Sequence, residues 1–107
     1  MTERGVDRVF QALADPTRRE VLRRLTEQGS ATPTELAAGL PVTRQAVSKH
    51  LVALAEAGLV ASHRAGRETR YRATPAPMAD AVDWIADVGA GWDARLEGMR
   101  RYLERRA

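Results

Sequence analysis

The sequence predicts a mainly α-helical fold with a small β-hairpin, and three observations carry this prediction. A short capped helix is followed by a turn and by a second helix with one apolar and one polar face. Two runs of alternating residues then flank a glycine turn. The final segment holds a heptad repeat of apolar side chains. Because a hairpin directly behind a helix-turn-helix is a wing, the sequence predicts one winged helix-turn-helix domain over residues 1–107.

Composition sets the bounds of this interpretation. With 107 residues, 44% of them hydrophobic, the chain can form one domain with a modest core. Its net charge is +3 and Lys49 is its only lysine, so almost all of its cations are arginines, which suit bidentate contacts to phosphate and guanine. A biased genome also produces Arg-rich, Ala-rich proteins, so charge by itself favours nucleic acid only slightly.

The same sequence excludes several other classes of protein. The absence of cysteine excludes disulfides, thiolate metal sites and cysteine nucleophiles. No apolar run approaches the roughly 18–20 residues that span a bilayer, and the charged N-terminus lacks the apolar core of a signal peptide. We therefore expect a cytoplasmic protein without a membrane partner.

Two helices are predicted before the helix-turn-helix. Residues 6–14 carry apolar side chains at helical spacing, as a short amphipathic helix does. Asp15 suits the N-cap of a second helix and Pro16 suits its first position. This second helix is expected to reach Gln28 and to stop at Gly29.

Residues 32–57 have the order of a helix-turn-helix. Thr32 and Glu35 match a capping box at the start of its first helix. The stretch Gly-Leu-Pro-Val at 39–42 breaks that helix, and Thr43 caps the next one. The second helix is the predicted recognition helix, because its outer face mixes cations, an amide and a hydroxyl, the groups that read base edges and phosphates. Its inner stripe is Val47, Leu51 and Leu54.

Residues 59–74 predict the wing, with strands at 59–64 and 68–74 joined through Gly66. The second strand alternates arginines with Thr69, Tyr71 and Ala73, which gives it one basic face. This segment contains four arginines and a single acidic residue, Glu68. The wing is therefore expected to meet a polyanion.

The eight predicted DNA-binding residues come from the recognition helix and the wing. They are Thr43, Arg44, Gln45, Ser48, Lys49, Arg64, Arg67 and Arg70. Gln45 can pair with adenine and Arg44 with guanine or phosphate, whereas Ser48 and Lys49 suit base or phosphate equally. Arg67 at the wing tip is the minor-groove candidate. Arg64 and Arg70 are expected to face phosphates or to pair with acids. Ordinary solvated surface is the alternative for Arg44, Gln45, Ser48 and Lys49, and Thr43 is first a helix cap.

The last helix is predicted to form a dimer. Apolar residues, with one glycine among them, recur in it at alternating spacings of four and three, which is the seam of a coiled coil. We expect residues 77–107 to pack against a second copy, helped by residues 1–14. Gly89 and Gly91 could permit close approach or bend the helix. The predicted interface residues are Val9, Phe10, Met78, Val82, Ile85, Gly89, Trp92, Leu96 and Met99.

Three contiguous stretches resemble ArsR-type winged-helix repressors. They are ALADPTRREVL at 12–22, VTRQAVSKHLVALAEAGLV at 42–60 and RAGRETRYR at 64–72. The resemblance covers roughly residues 9–75. It implies a homodimeric bacterial or archaeal transcription regulator, usually a repressor that a signal releases.

The chain departs from the metal-sensing members of that family. Where those members often carry a cysteine pair after Glu-Leu, this chain has Ala37 and Ala38. Other members bind zinc through Asp and His of the last helix, but here that helix has aspartates and no histidine. Carboxylates alone select zinc or nickel poorly. We therefore expect neither a metal nor a cofactor. No residue pattern in the sequence identifies an effector.

Three classes of function compete at this point. The leading interpretation is a sequence-specific, DNA-binding transcriptional regulator, a dimeric repressor on an imperfect palindrome. The alternative is a winged-helix module whose basic face binds an acidic protein. An enzyme is not expected, since the sequence contains no nucleophile-base pair, phosphate loop or metal cluster.

Overall fold

The computed structural model describes residues 3–106, and the side chains of residues 5–106. Met1, Thr2 and Ala107, which the sequence assigns to the ends of the two dimerisation helices, lie outside the described residues. The elements are α1 (Glu3–Leu13), α2 (Pro16–Gln28), α3 (Pro33–Ala38), α4 (Arg44–Glu56), β1 (Val60–Ala65), β2 (Glu68–Ala73) and α5 (Ala76–Arg106). The predicted fold class and element order are confirmed, with most element ends within one residue of the expectation.

The predicted helix caps are present. The Asp15 carboxylate accepts hydrogen bonds from the backbone N–H groups of Thr17 and Arg18, at 2.8 and 3.1 Å. These bonds, foremost the one from Arg18, hold the pKa of Asp15 below its ordinary value. Thr32 and Glu35 form the reciprocal capping box, and Thr43 Oγ1 accepts from the N–H of Ala46 at 3.1 Å.

Two arginines of α2 close the end of α1. Arg18 donates from Nε to the carbonyl of Ala12 at 2.8 Å, and Arg19 donates to the carbonyl of Leu13 at 2.7 Å. Cations at the carboxyl end of a helix satisfy carbonyls that lack an intrahelical partner. The two N-terminal helices are therefore joined by hydrogen bonds as well as by packing.

The core lies where α4 packs against α2 and α3. Val47, Leu51 and Leu54 have no exposed surface, as the inner stripe predicts. The fully buried Val21, Leu25 and Leu36 belong to the same cluster. Each such side chain contributes about 1.5–3 kcal/mol through removal from water. This burial fixes the rotation of α4 about its axis, so that its polar face points outward.

The wing is an antiparallel hairpin with one addition that the sequence did not predict. Val60 pairs with Ala73 at its root and Ala65 with Glu68 at its tip, where Gly66 takes a φ of 64°. Ala31, in the connector between α2 and α3, forms a bridge to Tyr71 through two backbone hydrogen bonds of 3.1 and 2.8 Å. The wing is thus attached to the chain that leads into the helix-turn-helix.

The final helix is continuous through Gly89 and Gly91, where the sequence left open whether the helix is bent. Only Ala81 is buried within residues 76–106. The aromatic rings of Phe10 on α1 and Trp84 on α5 meet edge to face, with centroids 5.6 Å apart. Beyond this contact α5 extends away from the other elements. The molecule as a whole, with this helix included, is 70 Å along its longest axis.

The buried stripe of α4 gives a direct test of the fold. Leu51→Ala should lower the free energy of unfolding by about 2–5 kcal/mol, because it leaves a cavity among close-packed neighbours. The next residue, Val52, is 55% exposed. Val52→Ala should therefore change that energy by less than about 0.5 kcal/mol. Urea unfolding followed by circular dichroism, at one protomer concentration, measures both. Equal losses for the two variants would contradict the assigned faces.

Candidate nucleic-acid interface

The amino end of α4 lies open on the surface. Thr43, Arg44, Gln45 and Lys49 are exposed, and Ser48 is half-buried beside them. All five, together with Ala46, line a shallow groove of about 510 Å³. The positive end of the α4 dipole points into this region and favours an anion there.

A second groove runs between the wing and the helix-turn-helix, with a volume of about 790 Å³. Arg44 lines this groove as well as the first, so the two form one continuous surface. From the wing come Arg64, Arg67 and Arg70, and from the start of α3 comes Glu35. The structure therefore brings all eight predicted DNA-binding residues to one side of the molecule.

Four of these residues are cations whose charge is uncompensated. Arg44, Lys49, Arg64 and Arg67 are exposed, and none of them forms an ion pair with any residue whose side chain is described. The guanidinium of Arg64 approaches Thr69 Oγ1 only at 3.5 Å. Unpaired arginines and a lysine on one surface create a positive potential, which attracts a polyanion and accelerates its binding.

Arg70 differs from the other cations. It is 24% exposed, and its NH1 lies 3.0 Å from both Glu35 Oε1 and Glu68 Oε2. Its Nε donates to Ser30 Oγ at 3.1 Å and its NH2 to the carbonyl of Ser30 at 3.3 Å. Of the two roles that the sequence left open for this arginine, the structure records the pairing with acids.

Glu35 takes part both in the capping box of α3 and in the contacts around Arg70. Its Oε1 accepts from the backbone N–H of Thr32 at 2.9 Å and also meets Arg70. The hydrogen bond from the Thr32 backbone, followed by the Thr32 side chain and Arg70, holds the pKa of Glu35 below its ordinary value. The carboxylate is thus charged throughout the neutral range, beside a surface that is otherwise positive.

The second candidate surface is the apolar side of α5. Seven of its large side chains are more than half exposed: Val82, Ile85, Trp92, Leu96, Met99, Tyr102 and Leu103. The predicted interface did not include Tyr102 and Leu103, nor Trp84 and Val88, which are also exposed on this helix. A monomer rarely leaves so many large apolar groups in water along one element. Phe10, Met78 and Gly89, which were also predicted at the interface, are half-buried.

Val9 requires a correction. It was predicted at the dimer interface, but it has no exposed surface and belongs to the chain's own core. Helical spacing shows that Val9 lies on the apolar face of α1, and that face packs inward on the same protomer. Phe10, one position further, contacts Trp84 of α5.

No helix within residues 3–106 combines the length and the apolar character needed to cross a bilayer. In the same described part of the chain, no three His, Asp or Glu side chains are grouped so that they could hold a metal ion.

The known proteins most informative for comparison are helix-turn-helix transcriptional regulators. A family model described as a helix-turn-helix domain matches residues 13–63. An HTH-type transcriptional regulator of Mycobacterium tuberculosis is 39% identical over 103 residues, which are 96% of this chain and 92% of that protein. The structure of an ArsR-like transcriptional regulator from Rhodococcus sp. RHA1 is similar, with a TM-score of 0.81, 41% identity and coverage of 92% of each chain.

A third similar protein bears on assembly. It is a homodimeric winged helix-turn-helix DNA-binding domain from Mycobacterium bovis, described as a possible ArsR-family transcriptional regulator. Its TM-score is 0.62 and its identity 30%, over 83% of this chain and 79% of that one.

Proposed function

Because the chain belongs to the ArsR family of DNA-binding winged helix-turn-helix transcriptional regulators, we propose that it acts as a homodimeric repressor on an imperfect palindrome. The observation that carries this proposal is the continuous positive surface formed by the amino end of α4 and the wing. On it, four cations that pair with no described acidic side chain flank a glutamine and a serine, a combination suited to phosphates and base edges together.

In this proposal α4 enters the major groove by its amino end. Gln45 is exposed there and can make the two hydrogen bonds that adenine offers. Arg44 lies between the two grooves, where it can reach guanine or the neighbouring phosphate. Thr43, Ser48 and Lys49 contact phosphates of the DNA backbone. Such contacts set the position of the protein on DNA more than its sequence preference.

The wing supplies the second set of contacts. Arg67 stands at the tip of the hairpin, fully available to enter a minor groove, where narrow A-tracts attract a guanidinium. Arg64 is exposed on β1 and suits a phosphate. Because these contacts act on shape and charge, they add affinity more than base discrimination.

We propose that α5 forms the dimer through its exposed seam. The apolar positions are symmetric about the middle of the helix, so two copies can pair antiparallel. Such pairing places Gly89 against Trp92 of the partner subunit, and Ile85 against Leu96 of the partner subunit. A large ring then fills the space that a glycine leaves.

Charge along α5 favours the same orientation. The first half of the helix carries Asp80, Asp83 and Asp87, whereas arginines predominate in the second half, at 95, 100, 101, 105 and 106. A parallel pair would set acidic halves side by side, and an antiparallel pair sets acidic against basic. The homodimeric relative from Mycobacterium bovis supports dimer formation in general.

Repression in this account is occlusion: a dimer on a promoter palindrome blocks the polymerase. We assign the chain no catalytic step, in line with a family of transcriptional regulators, and we place its action in the cytoplasm, where bacterial DNA lies. The alternative, a module that binds an acidic protein, would need no base-reading group at the amino end of α4, whereas Gln45 is exposed there.

Two substitutions distinguish base reading from backbone attraction. Gln45→Ala should lower discrimination at one base pair by about 1–3 kcal/mol, because a bidentate contact is lost. Arg67→Ala should weaken binding to all sequences and reduce the dependence of log K on log salt by about 0.9 if its partner is a phosphate. Fluorescence anisotropy with the palindrome and single-base variants, over a range of salt concentrations, measures both.

Arg23→Ala is the matched control, since Arg23 lies on α2 and pairs with Glu20 and Glu27. It should leave affinity and salt dependence near those of the parent protein. Identical losses on every sequence for the Gln45 and Arg67 variants would overturn the assignment of roles. Binding that does not respond to salt would overturn the proposed DNA contact itself.

The seam predicts the effect of a charge at its centre. Trp92→Glu should weaken the dimer by at least about 30-fold, the loss typical of a central aromatic contact of 2 kcal/mol or more. Glu97→Ala, on the same helix but off the seam and paired with Arg100 of its own helix, should leave the dimer constant within about twofold. Sedimentation equilibrium of both variants measures this. A Trp92→Glu protein that stays dimeric over the parent's concentration range would exclude this interface.

A further inference from the structure

Every nitrogen of the Arg70 guanidinium is engaged inside the protein. Nε and NH2 donate to the hydroxyl and the carbonyl of Ser30, and NH1 lies between the carboxylates of Glu35 and Glu68. Glu68 is on the same strand as Arg70, so that contact is local. Ser30 and Glu35 are 40 and 35 positions earlier in the chain. The arginine therefore connects β2 of the wing to the start of the helix-turn-helix.

This connection lies beside a second one. Ala31 follows Ser30 directly and makes the two backbone hydrogen bonds to Tyr71, the residue after Arg70. The bridge and the arginine together hold β2 at two adjacent points against the connector that leads into α3. A two-stranded hairpin has little stability of its own in water. Its direction consequently depends on these attachments and on the packing at its root.

The surroundings of Arg70 argue against a direct contact to DNA. To bind a phosphate, its guanidinium would have to exchange Glu35 and Glu68 for the new anion. Both carboxylates would then remain unpaired next to a polyanion, which repels them. Arg44, Arg64 and Arg67 line the same groove and carry no such partners among the described residues.

We propose that Arg70 is a positioning residue of the DNA-binding surface and not one of its DNA contacts. Through Ser30 and Glu35 it sets the angle of the wing against the helix-turn-helix, and so the separation between Arg67 at the wing tip and Arg44 at the amino end of α4. That separation determines whether minor-groove and major-groove contacts form at the same time. The inference rests on the proposed DNA binding of this surface.

Glu35→Gln tests the proposal because the two roles predict opposite signs. Glutamine has nearly the same shape and completes a capping box as glutamate does, so α3 keeps its start. The variant removes the carboxylate that holds Arg70. A positioning role predicts weaker binding, by about two- to fivefold, which corresponds to the loss of one partly exposed ion pair. A direct contact predicts tighter binding, because Arg70 is released and a negative charge leaves the surface.

Arg70→Gln provides the second measurement, made in the parent protein and again in an Arg67→Gln background. A positioning residue acts through the wing, so its loss weakens binding of the parent protein but has much less effect once Arg67 no longer contacts DNA. A phosphate contact made by Arg70 itself predicts the same loss of affinity in both backgrounds. Glu56→Gln, which removes a carboxylate from the far end of α4, controls for the general effect of negative charge.

The outcomes distinguish a failure of the proposed function from a failure of the positioning role of Arg70. Parent protein that shows no preference for its palindrome overturns the proposed function. Parent protein that binds, with Glu35→Gln tighter or unchanged, or with equal losses for Arg70→Gln in the two backgrounds, overturns the positioning role alone. Thermal unfolding of each variant shows whether it is folded, and the Glu35→Gln result decides the question if Arg70→Gln does not fold.

Discussion

The rest of this structure depends on the burial of one stripe of α4. Val47, Leu51 and Leu54 are wholly enclosed by side chains of the surrounding core. A helix held by one face cannot turn about its axis, so the opposite face has a fixed outward direction. Thr43 fixes the starting point of the same helix. Together they place Arg44 and Gln45 at an exposed end, supported by a rigid core.

A second constraint acts at the other end of the chain. The final helix contributes Ala81 to the protomer core, packs Met78 against it and contacts Phe10 through Trp84, but most of its large apolar side chains are exposed. Its exposed apolar side chains make the isolated protomer an incomplete unit, since burying them requires another surface. If a second copy provides that surface, the two recognition helices are fixed relative to each other, and the spacing of a two-fold DNA site follows from it.

Local sequence signals predicted most of the fold, because caps and turns act over a few residues. Asp15, Thr32 and Thr43 each specify a helix start through their own side chain, and the structure contains all three caps. The bridge between Ala31 and Tyr71 was missed because it joins positions 40 apart, and pairing at that distance leaves no periodic pattern.

The same reason explains what the sequence left undecided at the candidate site. Alternation showed that Arg70 belongs to the basic face of β2, but its partners Ser30 and Glu35 are distant in the chain. Val9 was misplaced because helical spacing identifies an apolar face without showing what covers it. For Gly89 and Gly91, hydrogen bonding along the whole of α5 outweighed the flexibility of the glycines.

The central claim is that two copies of this surface, joined through α5, read one palindrome. Hydroxyl-radical footprinting of the parent protein on the promoter beside its gene tests this most directly. We expect two protected regions related by two-fold symmetry, their centres about 34–36 Å apart or a whole multiple of that distance. A single asymmetric protected region, or uniform protection without sequence preference, would contradict it.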